Sequence, residues 1–234
     1  MHESNAFCRR LAKRTARNFY YSFLTLPGEQ YRAMCALYGF SRVCDDLGDD
    51  ASSTFVEKAE HLREWRAKLE RAMAGDPSGH ALFPALSDVV ARYAIPPEHL
   101  HAVIDGMESD LNFTGYETFA ELQRYCYRVA GAVGLCCVRI WGCDEECSVQ
   151  PAVDCGTAFQ LTNILRDLGE DAAMGRVYLP REDLRRFGYT ADDVAAHRRD
   201  GGFRDLMSFQ VERARTFYRN AEELFGCLKP PGRS

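Results

Sequence analysis

Two pairs of aspartates have the spacing that places carboxylates side by side on a helix. Asp45 and Asp49 are four residues apart, as are Asp167 and Asp171, and residues four apart share one helix face. Like charges at that spacing repel each other, so a fold that keeps them usually gains a compensating interaction. A hard divalent cation bound through oxygen is the obvious compensation. The two pairs therefore predict metal-dependent chemistry.

The alternative for each pair is a solvated acidic helix end that binds nothing. Gln160 and Asn163 precede Asp167 by seven and four residues, so the three polar side chains form one helical stripe. The apolar residues that flank this stripe are Phe159, Leu161, Ile164 and Leu165. A polar stripe in such a helix predicts a polar-lined cavity between helices. A calcium loop starting at Asp45 is excluded, because its third position requires an oxygen ligand and is Leu47.

Magnesium fits these carboxylates better than calcium does. It prefers one or two carboxylates, several waters and a substrate phosphate. Two facing aspartate pairs would hold a cluster of Mg²⁺ ions that binds a diphosphate. Arg42, Arg166 and Arg176 lie beside or after the pairs and could bridge phosphate oxygens. The alternative for each arginine is an ordinary surface or ion-pair role.

Residues 125–134 combine small and apolar side chains in a segment with helical spacing. Each glycine within a helix is unfavourable by about 1 kcal/mol relative to alanine. Small residues either let a neighbouring helix approach closely or leave room for a long apolar ligand, and both interpretations stay open. The face that would line such a ligand comprises Tyr125, Val129, Ala130, Val133 and Gly134. Further rings that could face a carbocation, or simply form core, are Phe19, Tyr20, Tyr21, Phe23 and Tyr38.

Proline positions and hydrophobic spacing predict an all-helical chain. Proline breaks a helix interior, so helices are expected in the long intervals 98–150 and 152–179, which Pro151 separates. Apolar residues recur at three- and four-residue steps within 117–140 and 152–168. Turns are expected at 25–28, 75–79, 95–97 and 174–176. The sequence thus predicts eight or nine helices, no sheet, and one domain over residues 1–234.

Composition excludes several functional classes. The chain has 29 Lys and Arg against 34 Asp and Glu, a net charge of −5, which argues against nucleic-acid binding. No uncharged apolar run approaches the length of a transmembrane helix, and residues 1–14 lack the apolar region of a secretory signal. We therefore expect a cytoplasmic protein.

The ten cysteines are expected to be reduced core thiols. Those inside apolar stretches are Cys35, Cys44, Cys126, Cys136, Cys137 and Cys155. Cys143 and Cys147 imitate half of a zinc site, but no matching Cys or His pair follows at zinc spacing. A structural zinc ion is therefore not expected.

Taken together, these motifs resemble the squalene/phytoene synthase family of head-to-head isoprenyl diphosphate synthases. The matching segments, in family order, are residues 18–27, residues 36–42, the Asp45-x-x-x-Asp49 pair, residues 125–134, and residues 160–171 followed by 175–180. The last of these, with its Gly-Arg-x-Tyr-Leu-Pro extension, is the most specific. Residues 19–22 and 105–111 resemble bacterial presqualene diphosphate synthases more than phytoene synthases.

The resemblance implies an all-α isoprenoid-synthase helical bundle around a central cavity. The family continues past this C-terminus with helices that close the cavity, so the domain is expected to be C-terminally short. The implied metal ligands are Asp45, Asp49, Asn163, Asp167 and Asp171. The implied catalytic residues are the four aspartates with Arg42 and Tyr38. The implied substrate-binding residues are Phe19, Arg42, Tyr125, Val129, Ala130, Val133, Gly134, Gln160, Asn163, Arg166 and Arg176.

The activity that the resemblance implies is Mg²⁺-dependent condensation of two farnesyl diphosphates to presqualene diphosphate, a precursor of squalene. Mn²⁺ is the alternative metal, and NADPH use stays open. One alternative is a phytoene synthase that uses geranylgeranyl diphosphate. Another is a non-catalytic paralogue that binds a prenyl diphosphate. The expected partner is a prenyl diphosphate rather than nucleic acid, with contact to a membrane surface for product release and no prediction of oligomeric state.

Overall fold

The computed structural model describes residues 1–16 and 18–228, with only the backbone of Asn18. The α-helices in these ranges are α1 (His2–Thr15), α2 (Asn18–Phe23), α3 (Gly28–Asp49), α4 (Phe55–Met73), α5 (Phe83–Arg92), α6 (Pro97–Leu111), α7 (Phe119–Cys126), α8 (Ala132–Trp141), α9 (Glu145–Ala173), α10 (Arg181–Arg186), α11 (Ala191–Ala195), α12 (Gly201–Ala221) and α13 (Leu224–Cys227). A 3₁₀ turn spans Pro77–Gly79, and a π-helical segment spans Tyr127–Gly131 between α7 and α8.

The all-α class is confirmed, whereas the predicted number of helices is too low. The described residues contain no strand, only one isolated bridge between Cys143 and Leu228. The helices α2, α10, α11 and α13 span four to six residues, too few to produce a recognisable helical repeat. None of the helices over these ranges is both long and apolar enough to cross a membrane, as the sequence predicted.

Pro151 does not separate two helices, so that prediction was wrong. It lies inside α9, buried at the seventh position of a 29-residue helix. Its missing N–H removes one hydrogen bond, the one that would reach the carbonyl of Cys147. Helix α9 packs against α8, α12 and the π segment, and this tertiary packing outweighs one lost backbone bond near the helix start.

Two large clusters of buried side chains form the core. One surrounds α3 and includes Phe40, Trp65 and Phe83, with Phe40 and Trp65 stacked at a centroid distance of 5.9 Å. The other lies on α9 and includes Leu161 and Leu168. Helix α6 packs against both α3 and the π segment, and the π segment packs against α9. The helices that carry the two aspartate pairs are therefore held on either side of α6 and the π segment.

Glycines allow α9 to approach the neighbouring helices closely. A methyl group added at Gly156 would lie 2.6 Å from the carbonyl carbon and oxygen of Ala130, and one at Gly134 would lie 2.6 Å from the carbonyl oxygen of Ala152. Real side chains do not tolerate such distances to backbone atoms. Close helix packing, the alternative left open for residues 125–134, thus accounts for Gly134.

We expect Gly156→Ala to lower the free energy of unfolding by about 1–3 kcal/mol, because the new methyl group overlaps a backbone that cannot shift freely. Urea unfolding followed by circular dichroism measures this effect. Gly169→Ala on the same helix is the matched control, since the nearest atom there is 3.7 Å away. That variant is expected to gain up to about 1 kcal/mol from helix propensity. Equal changes in the two variants would contradict the close approach.

The cysteine prediction holds for the core thiols and fails for one pair. Cys35, Cys44, Cys126 and Cys136 are buried free thiols. By contrast, Cys147 and Cys227 form a disulfide with a Cα–Cα distance of 5.9 Å. The pair is separated by 80 residues, a distance at which the spacing of cysteines in a sequence carries no information about pairing. It ties the start of α9 to α13.

Candidate active site

The first aspartate pair ends a polar stripe on α3. Tyr38, Arg42, Asp45 and Asp49 follow one another at four, three and four residues within this helix, so they share one face. The Tyr38 hydroxyl donates to Oγ1 of Thr15 on α1 at 3.1 Å. This stripe agrees with the grouping expected from the sequence, while the catalytic roles of its members stay predictions.

Arg42 is ion-paired within α3, and one of its N–H groups is left unsatisfied among the described residues. It forms an ion pair with Asp46, one turn further along α3. Its Nε is buried and, within the residues the structure covers, has no hydrogen-bond partner. A buried donor without a partner is unfavourable by about 1–3 kcal/mol. Arg42 shares this face with Asp45 and Asp49, the position at which the contact with phosphate is predicted.

The second aspartate pair ends a similar stripe on α9. Gln160, Asn163, Asp167 and Asp171 share one face of this helix, and Asn163 Nδ2 donates to Gln160 Oε1 at 3.5 Å. Asp167 accepts two hydrogen bonds from its neighbour Arg166, at 2.7 Å from Nε and 2.6 Å from Nη2. In this state Arg166 is committed to Asp167, so its predicted contact with diphosphate requires that pair to open.

The turn after α9 brings the two stripes together. Gly175 adopts a φ of +79°, a conformation that favours glycine, and the N–H of Arg176 donates to the carbonyl of Asp171 at 2.8 Å. The predicted turn at 174–176 is thereby confirmed. It directs the Arg176 side chain to the end of α3, where Nη1 lies 3.8 Å from Oδ1 of Asp49. One arginine therefore links the ends of the two acidic helices.

A third carboxylate, Asp110 on α6, lies in the same region and was not among the predicted site residues. The Tyr125 hydroxyl donates to its Oδ2 at 2.8 Å, and the Tyr178 hydroxyl donates to its Oδ1 at 2.9 Å. The two tyrosine rings are stacked, with centroids 5.3 Å apart and planes at 21°. Both Asp110 and Tyr178 belong to segments on which the family resemblance rests, which was the one available signal.

Burial raises the pKa of three carboxyl groups in this region, and neighbouring carboxylates add to the increase. Burial raises the pKa of Asp45 from 3.8 to about 7, against the attraction of Arg42 and with further increases from Asp49 and Asp110. Burial likewise raises the pKa of Asp171 to about 6, with Asp167 and Asp110 adding to the increase and Arg176 opposing it. Burial also raises the pKa of Asp110. The residues from three helices therefore share one negative electrostatic environment that lacks sufficient positive charge.

This donor set fits magnesium held jointly with a substrate. All the donors are oxygens, the type that Mg²⁺ prefers. Over residues 1–16 and 18–228, no three His, Cys, Asp or Glu side chains are grouped closely enough to hold a metal ion. Mg²⁺ usually keeps several waters and takes only one or two carboxylates together with phosphate oxygens. Asp45, Asp49, Asp167 and Asp171, with Asn163 beside them, remain the proposed ligands.

The thermal stability of the metal-free protein is expected to fall between about pH 4 and pH 7. In this window the unfolded chain has already released the protons of Asp45 and Asp171, whereas the folded chain retains them up to about 7 and 6. The folded state binds more protons, so raising the pH favours unfolding. Melting temperatures of wild type and Asp45→Asn across this range measure the effect. The same slope in both proteins would contradict the raised pKa of Asp45.

The residues predicted to line a long apolar ligand also pack against neighbouring helices. A methyl group added at Gly106 of α6 would lie 2.5 Å from Cγ1 of Val129, and Val133 packs against the α3 core. Phe19 is 57% exposed, and its ring meets that of Phe159 edge-on at 6.3 Å. Helix α2 thus reaches α9 on the side where Gln160 and Asn163 lie. That Val129, Ala130, Val133 and Gly134 also line a substrate channel stays a prediction.

Two concave surfaces lie apart from these residues. One of about 780 Å³ is lined by residues of the 199–215 segment, including Arg199, Phe203 and Arg215. The other, of about 600 Å³, lies between the starts of α1 and α3 and includes Arg9 and Tyr31. Neither is lined by an aspartate of the two pairs, so the candidate active site is defined by its convergent polar side chains.

Comparison with known proteins identifies the family of the chain. The family model for squalene/phytoene synthase matches residues 12–234. A phytoene synthase of Arthrospira platensis is 39% identical over 97% of this chain and 77% of its own length. A 15-cis-phytoene synthase of a Synechocystis species is 38% identical over 99% of this chain and 72% of its own length.

Solved structures that resemble this chain are enzymes of the same kind. The crystal structure of a dehydrosqualene synthase with ligand is 31% identical and has a TM-score of 0.88, over 97% of this chain and 79% of that one. A squalene synthase of Alicyclobacillus acidocaldarius is also 31% identical and has a TM-score of 0.89, over 97% of this chain and 85% of that one. The fold is therefore the all-α isoprenoid-synthase fold that the motifs implied.

Proposed function

Because the chain belongs to the squalene/phytoene synthase family of prenyltransferases, we propose that it joins two geranylgeranyl diphosphates head-to-head to give phytoene. The observation that best supports this type of reaction is that Asp49, Arg176 and Asp171 lie together at the ends of α3 and α9. The relatives that support this substrate are the phytoene synthases at 39% and 38% identity.

The proposed reaction begins at C1 of the donor substrate. The C1–O bond breaks, and its electron pair leaves with the diphosphate. The resulting allylic cation is attacked by the double bond of the second substrate, and loss of a proton closes a cyclopropane. A second ionisation and a second proton loss give the hydrocarbon, so the route releases two diphosphates and two protons and needs no reductant. A requirement for NADPH would therefore point to a different product.

The protein contributes positioning and charge in this proposal. When Mg²⁺ is bound, it neutralises charge on the leaving diphosphate. Arg42, on the stripe that ends in Asp49, and Arg176, beside Asp49, contact diphosphate oxygens. We assign Tyr38, Phe19 and Tyr125 to the reacting end of the substrate, as the family resemblance implies, because aromatic groups favour positive charge there. No side-chain nucleophile is required, and exclusion of water protects the cation.

The second candidate is condensation of two farnesyl diphosphates to presqualene diphosphate, the main expectation from the sequence. Two of the similar solved structures favour it, since they are a dehydrosqualene synthase and a squalene synthase. The chemistry at C1 is the same for both substrates. The candidates differ only in the number of isoprene units that the site accommodates.

Incubation of the purified protein with each labelled diphosphate and Mg²⁺ tests the proposal. Products are separated by chromatography before and after phosphatase treatment, so that a diphosphate intermediate and a hydrocarbon are distinguished. We expect phytoene from geranylgeranyl diphosphate, and kcat/KM at least tenfold lower with farnesyl diphosphate, a difference of about 1.4 kcal/mol in transition-state stabilisation. Preference for farnesyl diphosphate would favour the second candidate.

A third outcome separates catalysis from binding. Saturable binding of either diphosphate in calorimetry, with no product from either, would identify a non-catalytic paralogue. Chelation of the divalent metal with EDTA is expected to abolish turnover, and Mg²⁺ or Mn²⁺ is expected to restore it, because the leaving diphosphate would otherwise keep its full charge. Turnover that persists after chelation would contradict the proposed role of the metal.

A further inference from the structure

Asp110 lies where three separate parts of the chain meet. It is contributed by the last turn of α6, Tyr125 by α7, and Tyr178 by the segment that follows α9. Each carboxylate oxygen accepts one tyrosine hydroxyl, at 2.8 and 2.9 Å. Tyr125 and Tyr178 are 5% and 6% exposed. This three-residue group, the Asp110 clamp, is therefore nearly closed to solvent on its tyrosine side.

The direction of these hydrogen bonds is fixed by chemistry. An ionised carboxylate has no proton and can only accept, so both tyrosines must donate. Each phenol has a single O–H proton, and that proton is committed to Asp110. The remaining lone pairs of both phenol oxygens point away from the carboxylate. Toward any other group, the two hydroxyls can act only as acceptors.

The rings are fixed as well as the hydroxyls. Tyr125 stacks on Tyr178 at 5.3 Å, and Tyr116 lies beside both rings, with its centroid 5.7 Å from that of Tyr125 and 6.4 Å from that of Tyr178. Phe113 packs on Tyr178 at 4.8 Å. Side chains held by ring contacts and a hydrogen bond lose most of their rotational freedom. The phenol oxygens consequently have one fixed position relative to the aspartate stripes.

The clamp is linked electrostatically to both stripes. Arg176, which lies 3.8 Å from Asp49, attracts Asp110 and donates a hydrogen bond to the Tyr178 hydroxyl, while Asp110 repels the carboxylates of Asp45 and Asp171. A negative charge at this point is unfavourable for the neighbouring aspartates unless it contributes something to the site. Its two tyrosine contacts are the contribution that the structure shows.

We propose that Asp110 is a positioning residue, which holds Tyr125 and Tyr178 as fixed hydrogen-bond acceptors beside the two aspartate stripes. This proposal rests on the proposed function, in which positive charge develops on the substrate near Tyr125. Oxygen lone pairs stabilise positive charge. A hydroxyl proton aimed at the same carbon would do the opposite, and Asp110 prevents that orientation by accepting both protons.

Asp110→Asn is the informative variant because it has the same shape. The asparagine oxygen can still accept from one tyrosine, but its NH₂ group must donate to the other. The phenol that accepts this N–H would then become an acceptor toward residue 110, and its own O–H proton would point away from that residue. Both hydrogen bonds can still form and the fold is retained, but the bonds are weaker without the charge of the carboxylate, and the polarity of one hydroxyl is inverted. We expect kcat to fall by about 10²-fold, by analogy with the loss of one preorganised group, with KM nearly unchanged.

A double-mutant cycle tests whether Asp110 acts through the tyrosines. Wild type, Asp110→Asn, Tyr125→Phe, Tyr178→Phe and the two pairwise combinations with Asp110→Asn are compared for kcat, KM and melting temperature. Once the tyrosine hydroxyl is absent, substitution of Asp110 is expected to lower kcat much less than in the wild-type background. Asp105→Asn is the matched control, since Asp105 lies on the same helix and pairs with Arg66 of α4 at 2.7 Å. It is expected to retain the kcat of wild type.

Each possible result of this comparison either supports or overturns the proposal. Wild-type kcat in Asp110→Asn would overturn it, as would losses that simply add to those of the tyrosine variants. A large increase in the Mg²⁺ concentration required, not shared by the tyrosine variants, would instead make Asp110 a metal ligand. If wild type converts no prenyl diphosphate, the proposed function fails. In that case the melting temperatures still decide whether Asp110 holds both tyrosines, because coupled losses of stability support the clamp and additive losses refute it.

Discussion

Asp171→Asn is expected to lower the turnover of prenyl diphosphate by about 10²–10³-fold, the range observed when one preorganised charge-stabilising group is lost. Asp171 stands at the end of the α9 stripe, and the turn that follows it places Arg176 against Asp49. Its carboxylate is one of the proposed magnesium ligands, so the amide would weaken charge neutralisation at the leaving diphosphate. Steady-state kinetics at saturating Mg²⁺ measure the loss.

Glu170→Gln provides the matched control for this variant. Glu170 is the adjacent residue on α9 and is exposed, so the same loss of negative charge occurs one position away from the stripe. We expect this variant to retain activity within about threefold of wild type, because exposed charges interact weakly through solvent. Equal losses in the two variants would show that total charge, rather than the position of Asp171, supports turnover. Near-wild-type turnover in Asp171→Asn would refute its assignment as a ligand.

The helical class and the two acidic stripes were accessible from the sequence because both depend on local spacing. Asp45 and Asp49 are one turn apart on any helix, and so are Asp167 and Asp171. The same helical spacing predicts that Gln160 and Asn163 share a face of α9 with the second aspartate pair. Such predictions require only that the segment be helical, which hydrophobic periodicity indicates well in long elements such as α3 and α9.

The parts that failed depend on contacts between distant segments. Asp110 accepts hydrogen bonds from Tyr125 and Tyr178, which lie 15 and 68 positions further along the chain. No local pattern shows that two tyrosines converge on it. The disulfide between Cys147 and Cys227 is equally non-local. Pro151 is a different case, since its local preference to break a helix is real but is outweighed by the packing of α9.

Gly134 shows how one local observation can support two interpretations. A glycine in a helix requires an explanation, and room for a ligand was one of those considered. The structure places the carbonyl oxygen of Ala152 where a side chain at 134 would begin. A large residue at that position would therefore separate α8 from α9 before it could reach a substrate. Substitutions at 134 test helix packing, whereas the polar stripes must be tested through their charges.

Arg176→Gln is expected to lower kcat/KM by about 10²-fold at pH 7, since it removes the cation that links the two acidic helices and contacts diphosphate in the proposed function. Arg176 also opposes the increase in the pKa of Asp171, so its loss would raise that pKa further and leave more of the carboxyl protonated near neutrality. The deficit should therefore shrink as the pH rises toward 8, where the carboxyl is ionised in both proteins. Rate profiles over pH 6–8 measure this change, with Arg185→Gln as control, because Arg185 pairs with Glu117 at the surface. A deficit that is constant over this range would contradict the coupling between Arg176 and Asp171, and an equal deficit in the control would remove any special role for Arg176.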